Sequence, residues 1–221
     1  MNSTEAMKAR HSVRQYKKQP INPEIISALQ MEIDNCNRES GLHIQLVKNE
    51  PKAFDSFMAH YGKFSSVTNY IALIGKKDSE LDEKCGYYGE RLVLKAQELG
   101  LNTCWVAMTY SKIKTAFTIE KGETLCVVIS LGYGETQGVP HKSKSISQVT
   151  KTDKEMPDWF KNGVEAALLA PTAMNQQKFM FTLSGRKVSA KAGMGFYTKL
   201  DLGIVKYHFE IGAGKDNFEW E

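Results

Sequence analysis

Apolar side chains recur every three to four positions in several stretches of the chain, and each such stretch predicts a helix with one buried face. The clearest covers residues 80–99, where Leu81, Cys85, Tyr88, Leu92, Ala96 and Leu99 keep helical spacing and Gly100 follows as a terminating residue. Another begins at Asn22, which stands as N-cap ahead of Pro23 in the first helical position, with Ile25, Ile26, Leu29 and Ile33 on one face. A first helix starts at Ser3 or Thr4, with Glu5 in the turn where the positive helix end favours a carboxylate, and runs into Arg10. Further helices are predicted at 111–117, at 158–170, where Pro171 stops helical geometry, and at 200–211. Gly86 and Gly89 interrupt the longest helix at a cost of about 1 kcal/mol each against Ala. Such a cost predicts close approach by another helix or another chain.

Strands are predicted at 43–47, 69–75, 125–131 and 179–183, with a short apolar piece at 104–107. The run 125–131 is apolar but for Ser130, as a strand buried on both faces would be. Residues 134–154 are polar, with Gly138, Pro140 and several Ser, Thr and Lys, and read as a long loop. The tail after Gly214 is expected to reach out to a partner. Helices and strands mix without regular alternation, which predicts an α+β fold. The expected organisation is a single domain of two pseudo-lobes, about 1–150 and 151–221.

Composition narrows the function classes. With 221 residues, 42% of them hydrophobic and 24% charged, the chain can bury an ordinary soluble core. The net charge of +4 is spread along the chain, which argues against a nucleic-acid binder and suits a protein that handles small anions. Cys36, Cys85, Cys104 and Cys126 lie far apart with no CxxC pair, so they read as reduced, buried thiols and not as a metal site or disulfide scaffold. The N-terminus has no apolar signal core and no run is long enough for a bilayer. The expectation is a cytoplasmic protein with neither membrane nor nucleic-acid partners.

Four constellations could carry chemistry. Arg10-His11-Ser12-Val13-Arg14 groups two guanidiniums, an imidazole and a hydroxyl; in an extended chain Arg10, Ser12 and Arg14 point the same way, as a phosphate clasp needs. A solvated surface cluster would look the same. Ala170-Pro171-Thr172-Ala173-Met174-Asn175-Gln176-Gln177 offers amides on a turn between helix and strand, suited to polyol hydroxyls or a heterocycle edge, or simply to capping. The segment from Gly100 to Met108, including Trp105, Val106 and the small Ala107, could lie along a flat ring or be a buried edge strand. Leu131-Gly132-Tyr133-Gly134 permits a sharp turn, and Lys142 and Lys144 follow it with charge for a phosphate or for solvent. His208 reads as a satisfied, half-buried histidine.

Together these segments resemble the nitroreductase family. Residues 10–14 with Tyr16 are similar to its N-terminal phosphate motif, and Leu99-Gly100-Leu101-Asn102-Thr103-Cys104-Trp105-Val106 is similar to its Leu-Gly-Leu-Gly-Thr-Cys-Trp segment. Leu131-Gly132-Tyr133-Gly134 resembles its Gly-Tyr strand end, Lys142-Ser143-Lys144 its basic pair, and residues 170–177 its Ala-Pro-Ser-x-x-Asn-x-Gln turn. That turn lies near the C-terminus here, which resembles the permuted, putative thermophile-type branch.

The resemblance implies a nitroreductase-like α+β fold with a mixed central sheet flanked by helices. It implies FMN at a homodimer interface, NADH or NADPH as reductant, and ping-pong two-electron reduction of a small-molecule acceptor such as a nitroaromatic or quinone. By the same resemblance Arg10, Ser12 and Arg14, with Lys142 and Lys144, hold phosphate and polyol, and His11 meets the flavin or its phosphate. Trp105, Val106, Ala107 and Met108 run beside the ring, while Pro171, Thr172, Ala173, Asn175 and Gln177 approach from the partner subunit or the far side. No side chain is assigned as catalytic and none as a metal ligand, because the flavin carries the chemistry. The departures are Asn102 at a glycine position, Ala107-Met108 where two glycines are common, Thr172 for Ser, and Lys178-Phe179 for Pro-Trp. They leave a flavin-binding protein without turnover, a sensor or carrier, as the alternative.

Overall fold

A computed structural model describes residues 1–152 and 155–221. The end of the loop predicted at 134–154 therefore lies outside the described residues. Local signals set most helices. Helix α1 covers Ser3–Ala9. Helix α2, Pro23–Ser40, starts where the Asn22 side chain accepts from the Glu24 amide and ends at left-handed Gly41. Helix α3 is a short turn, Phe57–Tyr61, and α4 runs Leu81–Glu98. Helices α5, Asp158–Ala167, and α6, Thr198–Ala213, complete the set among the described residues.

The chain divides into two compact units. The first comprises Ala9–Leu81 and Leu92–Pro140, and the second Met1–Lys8, Asp82–Arg91 and His141–Glu221. The first unit is built on an antiparallel sheet in the order β1-β2-β4-β3, from β1 Gln45–Val47, β2 Asn69–Lys76, β3 Asn102–Val106 and β4 Glu123–Gly132. β4 lies inside the sheet, and its residues from Val127 to Gly132 are buried, as its largely apolar run requires. On one side Tyr70, Ala72, Ile74, Val106 and Val128 pack with Phe54, Phe64 and Val67.

The second unit carries a mixed sheet, β5-β6-β7-β8, from β5 Thr150–Lys151, β6 Phe179–Ser184, β7 Lys187–Ala192 and β8 Glu219–Trp220. β6 and β7 pair antiparallel, and each edge strand joins in parallel. The expected mixed sheet flanked by helices thus takes the form of two four-stranded sheets, one of them mixed.

Two expectations are corrected. Residues 111–117 form no helix; they hold a turn in which Ala116 N–H reaches the Ile113 carbonyl, and the Ser111 amide bonds Ala53 O at 2.7 Å. Ile113, Ala116 and Phe117 are drawn onto the core instead, a tertiary contact that outweighs weak propensity in so short a piece. The tail does not reach away: Phe218 is buried, Trp220 stacks on Phe181 at 6.4 Å, and its Nε1 donates to Glu210 Oε1 at 2.8 Å. The close approach expected at Gly86 is made by another helix, since a Cβ there would lie 2.0 Å from the Leu200 carbonyl oxygen of α6. Gly86 and the tail therefore give no separate reason for a dimer.

Candidate functional site

In the first unit, residues 10–17 run extended and are held on three sides. Val13 N–H donates to Thr103 O of β3 at 3.0 Å, Tyr16 N–H to Ser65 O at 3.1 Å, and Lys17 N–H to Tyr133 O at 2.8 Å. Ser65 N–H returns a bond to Arg14 O, and Glu135 N–H one to Gln15 O. The buried Tyr16 hydroxyl donates to Val13 O at 2.7 Å and shares a bond of 2.8 Å with Ser130 Oγ. Burial, reinforced by the neighbouring Cys104, pushes that phenol well above its usual range, so it stays a neutral hydrogen-bonding post.

The turn after β4 closes on this segment from outside. A Cβ on Gly132 would meet the Tyr16 ring at 2.9 Å, one on Gly134 would meet Val13 Cγ1 at 2.8 Å, and one on Gly138 would meet His11 Cβ at 2.7 Å. Asn102, at the position where the resemblance expected glycine, is buried and turned into this loop. Its Oδ1 accepts from Gly134 N–H at 2.9 Å and its Nδ2 donates to Gln137 Oε1 at 3.0 Å. The side chain pins the loop and does not project from the strand.

Ser12 bridges to Thr103 of β3, next to Cys104, with Arg10 and Arg14 two residues to either side of it. The Cys104 thiol of β3 bonds the Ser12 side chain and lies in the field of both guanidiniums; burial raises its pKa, opposed by Arg14, Ser12 and Arg10. Arg10 is 3% exposed, whereas Arg14 is exposed and its guanidinium lies 6.0 Å from the Phe64 ring centre. Two forked cations and a hydroxyl so gathered fit a phosphate-bearing ligand. Beyond β3, Trp105 is half-buried, Ala107 starts an irregular stretch, and the Met108 side chain is 71% exposed.

The second unit holds the remaining sequence candidates. Gln177, 3% exposed, accepts from Lys144 N–H through Oε1 at 2.8 Å, and its Nε2 donates to Lys142 O and to Asn175 Oδ1. Lys144 Nζ donates to Gln177 O at 2.8 Å, Asn175 Nδ2 donates to Lys142 O, and Thr172 Oγ1 accepts from Gln177 N–H. Residues 142–144 and 172–177 are thus one hydrogen-bonded cluster, with Met174, Asn175 and Gln177 in the left-handed region. The Gln177 amide is fully occupied inside it. Pro171 and Thr172 are half-buried at its base.

Among known proteins, the family described as "Putative TM nitroreductase" matches residues 2–213. The chain belongs to this nitroreductase family. A search of curated proteins gives no match. Among solved structures, this chain is similar to one described as a putative nitroreductase of Thermotoga maritima, at 23% identity and a TM-score of 0.65, over 98% of this chain and 85% of that one. It is also similar to a putative NADH dehydrogenase/NAD(P)H nitroreductase of Parabacteroides distasonis, at 21% identity and a TM-score of 0.53, over 67% of this chain and 97% of that one. A putative NADH oxidase of Clostridium acetobutylicum gives 19% identity and a TM-score of 0.51, over 65% and 96%. At these identities the likeness is one of fold. No helix among the described residues is long and apolar enough to cross a membrane, and none of their acidic, His and Cys side chains group as a metal site.

The second unit also engages a residue that the sequence did not single out. Asp201 of α6, 2% exposed, accepts from Ala173 N–H at 2.9 Å and from Gln176 Nε2 at 2.8 Å. Its place in a first helical turn reads as ordinary end-charge complementarity, so nothing in the sequence separates it from a surface carboxylate. His208 is fully buried, not half-buried: its Nδ1 lies 3.0 Å from Ala166 O and its Nε2 2.9 Å from Glu90 Oε1. It is a structural post between helices.

Proposed function

We propose that the protein is an FMN-dependent NAD(P)H oxidoreductase that carries out two-electron reduction of a small acceptor, a nitroaromatic, a quinone or a similar compound. The observation that carries this reading is the Arg10–Arg14 segment laid along β3 at Thr103, with Ser12 bridged to it, in a member of a nitroreductase family. When bound, FMN would supply the transfer of two electrons from NADH or NADPH to the acceptor. The chain's own part is to hold and orient it.

Arg10 and Arg14 neutralise the phosphate, Ser12 donates a hydroxyl hydrogen bond, and His11 flanks them. Trp105, Val106, Ala107 and Met108 border the ring, with backbone N–H groups of Ala107 and Met108 as donors to its polar edge. On the resemblance alone, Lys142 and Lys144 are assigned to the phosphate, and Pro171, Thr172, Ala173, Asn175 and Gln177 to the flavin from the partner subunit or the far side. The protein is further proposed to act in the cytoplasm as a homodimer. The names of the Parabacteroides and Clostridium proteins, with NADH or NAD(P)H as reductant, agree with this reading.

Purified protein should be yellow, or become so with FMN, and NADH or NADPH should bleach the flavin bands. A preparation that stays colourless after FMN is added overturns the proposal. Bound FMN that neither nicotinamide reduces points to the non-catalytic alternative.

A further inference from the structure

We infer that Asp201 is the positioning residue of the turn at 172–177, its carboxylate holding that turn in the shape it presents to the cofactor. The inference rests on the FMN reading above and adds to it a residue outside the family motifs.

The geometry demands a carboxylate and not merely a polar side chain. Both oxygens of Asp201 accept: Oδ1 from Ala173 N–H at 2.9 Å and Oδ2 from Gln176 Nε2 at 2.8 Å. Gln176 Nε2 spends its other hydrogen on Phe196 O at 2.7 Å. Turning the Gln176 amide over would set its oxygen against that carbonyl. An asparagine at 201 therefore fails in either orientation, because its NH2 must face Ala173 N–H or Gln176 Nε2.

The turn needs an external hold. Met174 and Asn175 both have φ of 52°, and Gln177 has 46°. Left-handed geometry at non-glycine residues costs about 1–3 kcal/mol each and persists only where surroundings impose it. Tyr197, just before α6, has φ of 59° and its carbonyl accepts from Asp201 N–H. One buried residue thus meets two strained backbone stretches, the turn through its side chain and Tyr197 through its backbone amide.

The groups facing Asp201 are the Ala173 amide and the Gln176 side chain from the turn. No ion pair reaches it among the described residues. Burial, opposed by those two hydrogen bonds, moves its pKa up from 3.8 to about 6. A proton on either oxygen sets an O–H toward a donor, so the hold loosens as pH falls.

The experiment pairs the wild type with Asp201→Asn and Gln176→Leu, and follows the Ala173 amide by NMR and FMN affinity by fluorescence from pH 5 to 8. In the wild type the Ala173 amide should titrate with a midpoint near 6, and FMN affinity should fall in the same range. Asp201→Asn should abolish that titration and weaken FMN about tenfold at pH 7.5, as loss of about 1.4 kcal/mol requires. Gln176→Leu should weaken FMN less and keep the titration, since Asp201 still faces Ala173.

An Ala173 amide that does not titrate, or an Asp201→Asn protein with wild-type FMN affinity and pH profile, overturns the inference and leaves the FMN reading standing. Wild-type protein that binds no FMN at any pH overturns the FMN reading. A titrating Ala173 amide would then still establish the hold on the turn.

Discussion

Gly86 and Gly203 meet where α4 crosses α6: a Cβ on Gly86 would come 3.1 Å from the Gly203 Cα, and one on Gly203 would come 2.6 Å from Tyr87 N. The neighbours are backbone atoms, which cannot swing aside as a side-chain tip can. Gly86→Ala should therefore lower stability by about 2–3 kcal/mol, the range for overpacking a close contact, even though alanine favours helix. Urea unfolding of the variant checks it, and a midpoint at or above the wild type would refute the close approach.

Asn102→Ala should strand the Gly134 N–H, which Asn102 Oδ1 now satisfies at 2.9 Å. A buried donor without its acceptor costs about 1–3 kcal/mol. Because Gly134 packs on Val13, the loss should also reach residues 10–17. Hydrogen exchange at Gly134 and Val13 would show both effects; faster exchange at Gly134 alone would mean the two segments are uncoupled.

Arg14→Ala should separate binding from folding. Arg14 is exposed, and surface changes usually alter stability by no more than about 0.5 kcal/mol. The melting temperature should hold while FMN affinity drops by about tenfold or more, a typical loss for a charge-assisted bond. Titration calorimetry beside a thermal melt decides it; unchanged affinity would remove Arg14 from the phosphate assignment.

Asp201 gives stability a pH dependence of definite sign. Its folded pKa of about 6 lies above the 3.8 of an ordinary aspartate. Between these values the folded state binds more protons than the unfolded one, so this group's contribution is present at low pH and lost as pH rises through about 6. The wild type should lose stability relative to Asp201→Asn as pH is raised from 4 to 7. Denaturant curves whose difference is flat across that window would contradict the sign.

Trp220→Ala should cost about 3 kcal/mol, as removal of large packed aromatics does, since Trp220 packs on Phe181, Phe209 and Phe218 and donates to Glu210. Light scattering should show no change in oligomeric state. A shift in mass would return the tail to the role of a partner contact.

Where a segment's structure depends on its own residues, the sequence was readable. Asn22 and Pro23 mark the start of α2, and the apolar run within β4 marks a strand buried in the sheet. Strand β7 was missed because Lys187–Ala192 is largely polar, with Val188 as its buried anchor, so its partner β6 makes it a strand. The turn at 111–117 fails as a helix for the converse reason: the core claims its apolar side chains. At the candidate site, residue types were legible but their employment was not. Asn175 and Gln177 read in sequence as amides for a ligand or for capping, Asn102 only as a residue at a glycine position, and each bonds its own chain.

The Tyr16 hydroxyl, bonded to Val13 O three residues back and to Ser130, ties residues 10–17 to themselves and to the sheet at once. The entropy of ordering that backbone is thus spent in folding, before any anion arrives. Association at Arg10 and Arg14 should then require only the settling of side chains. Its calorimetric signature should be that of a rigid receptor, with a heat-capacity change set by the surface covered and no added component from chain ordering.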